Sequence, residues 1–201
     1  HLFHSYFWLT SFSHLKHRLF IAIDLPHPIR ADIVGLQKRL DSLKLPVVWE
    51  KPQKLHLTLN FLGRIPDDQL NSVKKSISQV VHHSHSFDLK LAYLETLYKR
   101  HENTLIYLSP VGDVKELVDL QKTLCQTFRS LEIPQPIRFL PHFTIGHLKR
   151  TDPVTTKKYI NLISDFEPPI FPEFTVDHLT LYESFLSRTG STYQKLTSFV
   201  L

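Results

Sequence analysis

The sequence predicts an α+β fold built on antiparallel sheets. Strand-like and helix-like stretches are mixed along the chain but do not alternate as regular strand-helix-strand crossovers, which argues against a doubly wound parallel sheet. The five glycines form neither a GxGxxG pattern nor a GxxxxGK pattern followed by Ser or Thr, so no loop is suited to cradling a nucleoside triphosphate or a dinucleotide. At 201 residues, 42% hydrophobic and 21% charged, the chain fits one ordinary domain or two small lobes sharing a core.

Element by element, Leu19-Phe20-Ile21-Ala22-Ile23 reads as a buried strand closed by Asp24 and Pro26. Pro28 suits a first helical turn, and Ile29, Ile33, Leu36, Leu40 and Leu43 recur at helical spacing toward an end near Pro46. Leu55 to Gly63 alternates as a strand. Asp67-Asp68 opens a helix carrying Leu70, Val73, Ile77 and Val80, and residues 81–86 read as a loop. Strands come next at 87–98 and 103–108, then a helix over 114–128 with Leu117, Leu120, Leu124 and Phe128 on one face. Pro134 to Pro136 is a turn. The last third predicts strands at 143–148, 174–185 and 193–200, with a short helix over 155–163.

Residues 1–17 mix four histidines with aromatics. They are read as an extension outside the fold, leaving 18–201 as a single bilobal domain. A secretory signal fits poorly, because Lys16 and Arg18 come after the apolar part with no small-residue cleavage site beyond them. One cysteine, Cys125, cannot form an internal disulfide, which points to a reducing cytoplasm and removes cysteine-rich zinc sites. The net charge of +5 and pI near 9.3 favour a polyanionic or phosphorylated partner. No apolar run reaches the roughly 18 residues of a membrane span.

Two segments echo each other. Lys54-Leu55-His56-Leu57-Thr58-Leu59-Asn60-Phe61-Leu62-Gly63 and Leu140-Pro141-His142-Phe143-Thr144-Ile145-Gly146-His147-Leu148 each place His-x-Thr in a strand-like alternation, 86 residues apart. Side chains two apart on a strand share a face. His56 with Thr58, and His142 with Thr144, therefore project together, while Leu57, Leu59, Phe143 and Ile145 turn toward a core. If the half-chains pack as related lobes, the two pairs meet across a groove. That arrangement suits phosphodiester hydrolysis: one imidazole takes a proton from water and the other gives one to the departing ribose oxygen. An ordinary imidazole pKa of about 6.5 lets one ring start neutral and the other charged. The threonine hydroxyls are placed to donate to phosphate oxygens.

These residues resemble the 2H phosphoesterases, and within them the LigT/ThpR-type RNA 2',3'-cyclic phosphodiesterases of the 2'-5' RNA ligase family. The likeness runs from Arg18 to Leu201. It rests on the two His-x-Thr pairs, on Arg18 to Pro26 as an opening strand, on Trp49 with Leu55 to Gly63, and on Leu179-Thr180-Leu181-Tyr182-Glu183-Ser184 with Tyr193. The resemblance implies two pseudo-symmetric lobes, each an antiparallel sheet with helices outside, around a central cleft. It also implies opening of an RNA terminal 2',3'-cyclic phosphate to a 2'-phosphomonoester without cofactor, metal or ATP. On this likeness His56 is the proton donor to the 3'-oxygen, His142 activates water, and Thr58 and Thr144 hold the phosphate. The partner is an RNA or oligonucleotide end bearing the cyclic phosphate, met by a monomeric protein away from membranes.

One departure stands out. The family's second motif commonly continues His-x-Thr-x-x-Arg, whereas the arginine position here is His147. The departure weakens the expected cationic phosphate contact, with Lys149 or Arg150 as candidates to compensate and a protonated His147 as the other source. Phe61 and Trp49 are further candidates, as stacking platforms for the adjacent base, although core packing is the ordinary role of both. Lys51, Lys54 and Arg64 flank the first motif and are placed for the RNA backbone, with solvated surface charge as the default. The His82, His83 and His85 cluster reads as a surface loop rather than a metal site. Rival functions are a non-catalytic nucleotide- or RNA-binding module, a 2H phosphodiesterase acting on 2'-5' oligonucleotides, the U6 RNA end or small cyclic nucleotides, and a histidine-ligated metallohydrolase.

Overall fold

The computed structural model describes residues 15–188 and 190–201. In chain order these form β1 (Lys16–Asp24), α1 (His27–Asp41), β2 (Val47–Trp49), β3 (His56–Pro66), α2 (Leu70–His82), β4 (Phe87–Leu97) and β5 (Thr104–Gly112). Then come α3 (Val114–Ser130), β6 (Phe143–Leu148), α4 (Pro153–Ser164), β7 (Glu173–Val176), β8 (His178–Ser187) and β9 (Gly190–Val200). The strands make two sheets, ordered β3-β1-β8-β9 and β2-β6-β5-β4-β7. Every pairing is antiparallel, which is the expected α+β architecture.

The lobes are not the two halves of the chain. β8 and β9 return from the C-terminal end to complete the sheet begun by β1 and β3, while β2 leaves the N-terminal half to pair with β6. This exchange gives β1 a partner on each side, and Leu19 to Ile23 are all at most 3% exposed. Their continuous apolar run records burial on both faces, as central strands require. Helices supply the outer layer: α2 packs on β9, α3 on β3 and β4, and α4 on β4.

Several boundaries differ from those expected. The fold begins before Arg18, because Lys16 and His17 already pair with Pro66 and Ile65. His17 Nδ1 lies 2.8 Å from Glu183 Oε1 and its Nε2 lies 3.0 Å from Asp67 Oδ1, a clamp that holds the start of the strand. The rest of the proposed extension, residues 1–14, lies outside the described residues. The strand expected over 174–185 breaks at Asp177, where the chain leaves one sheet as β7 and enters the other as β8. Val81 and His82 belong to α2 rather than to a loop. Helix α1 stops at Asp41, and Lys44 turns the chain with φ 55°, so Leu43 packs on the core from outside the helix. No described helix is long and apolar enough to cross a membrane.

Candidate active site

His56 opens β3 and His142 immediately precedes β6. As expected from alternation, Leu57, Phe143 and Ile145 are fully buried, while His56, Thr58, His142 and Thr144 open together on one cavity of about 410 Å3. The two histidines are held by the same device. His56 Nδ1 is 2.6 Å from the carbonyl oxygen of Lys54, and His142 Nδ1 is 2.7 Å from that of Leu140. A carbonyl only accepts, so in each ring the proton sits on Nδ1 and the neutral tautomer offers Nε2. His56 Nε2 lies 3.1 Å from Thr58 Oγ1. Each ring also rests against an aromatic from the neighbouring strand: Phe20 at 5.1 Å for His56, and Tyr107, edge-on at 5.4 Å, for His142.

Alternation alone mispredicts the facing of the residues beyond each pair. Thr58 pairs with Ala22 and Asn60 with Ile21, so Leu59 is an extra residue, a bulge. Likewise Thr144 pairs with Tyr107 and Gly146 with Ile106, leaving Ile145 extra. A bulge resets which face later side chains take. Phe61 and His147 thus both turn into the cavity, although strict parity would put each opposite its threonine. Asn60 turns the other way, buried against Cys125 and Gln135. The extra carbonyls are satisfied by buried glutamines of the helical layer. Gln37 on α1 donates to Ile145 O at 2.8 Å, and Gln121 on α3 donates to Leu59 O at 3.4 Å.

The remaining candidates divide. His147 lines the cavity but its Nε2 is 2.9 Å from Glu50 Oε1, so that nitrogen is already engaged by a carboxylate. Arg150 does not line the cavity; its backbone N–H donates to Asn103. Lys149 donates its backbone N–H to Pro46 O and is also absent from the cavity wall. The cations that line it are Lys54 and Lys99. Trp49 is turned away, its indole N–H donating to Asp41 Oδ1 and its ring covering Gly146, in keeping with a packing role. His82 and His83 stack edge-on to each other, and no group of three or more potential metal-ligating side chains gathers among the described residues.

Sequence reasoning missed Glu50, Lys99 and Asp24. Asp24 lies opposite His56 in the β1–β3 register. Burial pushes its carboxyl up, but hydrogen bonds from Tyr182, Thr180 and Lys195 outweigh that and hold it below the usual range. The hydrogen bond from His147 likewise holds Glu50 low. Burial lowers His56 below the ordinary imidazole range, although the Lys54 carbonyl and the charges of Asp24 and Glu50 oppose the shift, and His142 adds to it. None of the three missed residues belongs to a repeated motif, so spacing could not have marked them.

Two sheets meeting at a cavity with a His-x-Thr pair on each side define a two-histidine phosphoesterase architecture. Residues 26–184 match the family model of the 2'-5' RNA ligase superfamily, and the chain belongs to that superfamily. It is 28% identical over 177 residues to the RNA 2',3'-cyclic phosphodiesterase of Methanocaldococcus jannaschii, covering 88% of this chain and 96% of that protein. It is 27% identical to the protein of the same name from Thermotoga maritima, covering 89% and 92%. Among solved structures, E. coli LigT complexed with 3'-AMP superposes with a TM-score of 0.75 at 22% identity, covering 92% of this chain and 98% of that one. TT0787 of Thermus thermophilus gives 0.71 at 26%, covering 92% and 97%.

Proposed function

We infer that the protein hydrolyses RNA 2',3'-cyclic phosphate ends to 2'-phosphomonoesters by two-histidine acid-base catalysis, without a metal ion or a nucleotide cofactor. The observation that carries this reading is the pair of imidazoles on one cavity, each fixed with Nδ1–H on a carbonyl two residues earlier. The His56 Nε2 is met by the Thr58 hydroxyl, which is released to donate elsewhere once that ring is protonated and Nε2–H becomes the donor. In the proposed cycle His142 Nε2 accepts a proton from water as the water oxygen bonds to phosphorus. His56, protonated, gives its Nε2 proton to the 3'-oxygen as the P–O3' bond breaks. The proton count balances, because His142 leaves the cycle charged and His56 neutral, and exchange with solvent resets both. Thr58 and Thr144 donate hydroxyl hydrogen bonds to the non-bridging oxygens as charge grows there. Entry of the anionic phosphate favours the imidazolium of His56, offsetting the effect of burial.

The names of relatives support the substrate class: the Methanocaldococcus and Thermotoga proteins are both RNA 2',3'-cyclic phosphodiesterases. The single buried cysteine supports a reducing cytoplasmic setting. The test is incubation of the purified protein with an oligonucleotide ending in 2',3'-cyclic phosphate in the presence of EDTA. A 2'-phosphate product is expected; a 3'-phosphate product, or turnover that disappears with the chelator, would overturn the assignment.

A further inference from the structure

A second cavity, of about 370 Å3, adjoins the first and shares His56, Phe61 and Tyr193 with it. Its other walls include Arg18, Ser184 and Ser191. Arg18 is exposed and makes no side-chain hydrogen bond or ion pair among the described residues, so its planar fork of donors is free for a phosphate. Phe61, shared by both cavities, is 62% exposed, so its ring is available to a base. Tyr193, at 36% exposure, supplies a second ring beside it. A free guanidinium, two hydroxyls, the exposed Phe61 ring and the edge of Tyr193 are the ingredients of a single-stranded nucleic-acid subsite.

We propose that this second cavity binds the nucleotide immediately 5' of the cyclic-phosphate terminus, making the protein selective for oligonucleotide ends over mononucleotides. The inference rests on the proposed reaction and on its geometry. In an in-line displacement the attacking water and the departing 3'-oxygen lie on opposite sides of phosphorus. The ribose, and all RNA attached through its 5'-oxygen, must then lie on the side of the proton donor. His56 borders the second cavity and His142 does not. The strand therefore leaves the reaction centre past His56, crosses Phe61, and brings its next phosphate to Arg18.

The test compares a 2',3'-cyclic mononucleotide with a dinucleotide carrying the same cyclic-phosphate end. The dinucleotide is expected to show a kcat/KM higher by about tenfold, as one stacked base and one phosphate contact provide. Arg18→Ala removes most of that gain and leaves the mononucleotide within about twofold. Lys122→Ala, at an exposed cation on α3 that lines neither cavity, keeps the gain. Equal kcat/KM for both substrates, or an Arg18→Ala loss shared equally by both, overturns the subsite while leaving the reaction intact. If neither substrate is turned over, the proposed reaction fails. The subsite is then decided by titrating a dinucleotide 2'-phosphate against a nucleoside 2'-phosphate, where equal affinities overturn it and an Arg18-dependent preference upholds it.

Discussion

Phe61 and His147 occupy equivalent places in the two halves of the cavity: each lies three residues beyond a His-x-Thr threonine and is turned inward by a one-residue bulge. The equivalence makes the cavity asymmetric in chemistry while its framework is repeated, with an aromatic face on the His56 side and an imidazole hydrogen-bonded to Glu50 on the His142 side. Phe61→Ala is expected to raise KM for RNA ends by about fivefold to tenfold with kcat nearly unchanged, since a stacking platform binds ground and transition states alike. Steady-state kinetics on an oligonucleotide checks this, and a fall confined to kcat contradicts it.

His147→Arg tests the other half. Arginine keeps its charge at any accessible pH and can hold Glu50 bidentately. If His147 contributes a cationic phosphate contact, the variant exceeds wild type at alkaline pH. Unchanged rate and affinity at alkaline pH would show that the contact comes from elsewhere, with Lys54 and Lys99 the cations already lining the cavity.

Glu50→Gln is predicted to move the pH profile in a defined direction. Burial lowers the His56 pKa, and the Glu50 charge partly opposes that shift. Removing the charge lowers the pKa further. A proton donor must be protonated, so the descending limb of kcat/KM, which reports the free protein, moves to lower pH in the variant. A limb that moves upward contradicts the donor role of His56.

The framework is testable without activity. Gln37→Leu removes the buried donor shared by the carbonyls of Glu50 and Ile145, the latter keeping the Glu50 N–H, and is expected to cost about 1–3 kcal/mol of stability in urea titration. Gly146→Ala is expected to be comparably harmful, because a Cβ there would stand 2.7 Å from the Trp49 ring. Gly35→Ala, in α1 with open space around it, gains up to about 1 kcal/mol from helix propensity.

Much of this was legible in the sequence because periodicity reports burial. The apolar run Leu19 to Ile23 marked a central strand, and the two His-x-Thr segments marked the strands that face each other. The bulges at Leu59 and Ile145 were not legible. Both residues are apolar and buried, as an unbulged strand would have them, and only pairing with β1 and β5 reveals the extra residue. The exchange of β8, β9 and β2 between sheets was hidden for a similar reason, since long-range pairing leaves no local signature. Arg150 and Trp49 lay beside the motifs in sequence, yet one sits beyond the strand end and the other is drawn to α1 by Asp41.

The most direct test of two imidazoles acting at one phosphorus replaces the bridging 3'-oxygen of the cyclic phosphate with sulfur, a leaving group that needs no proton. His56→Ala and His142→Ala should each lose about 10²- to 10⁴-fold on the oxygen substrate. On the sulfur substrate His56→Ala should recover most of the wild-type rate while His142→Ala stays slow. Failure of His56→Ala to recover, or recovery by His142→Ala instead, would contradict the assigned division of acid and base.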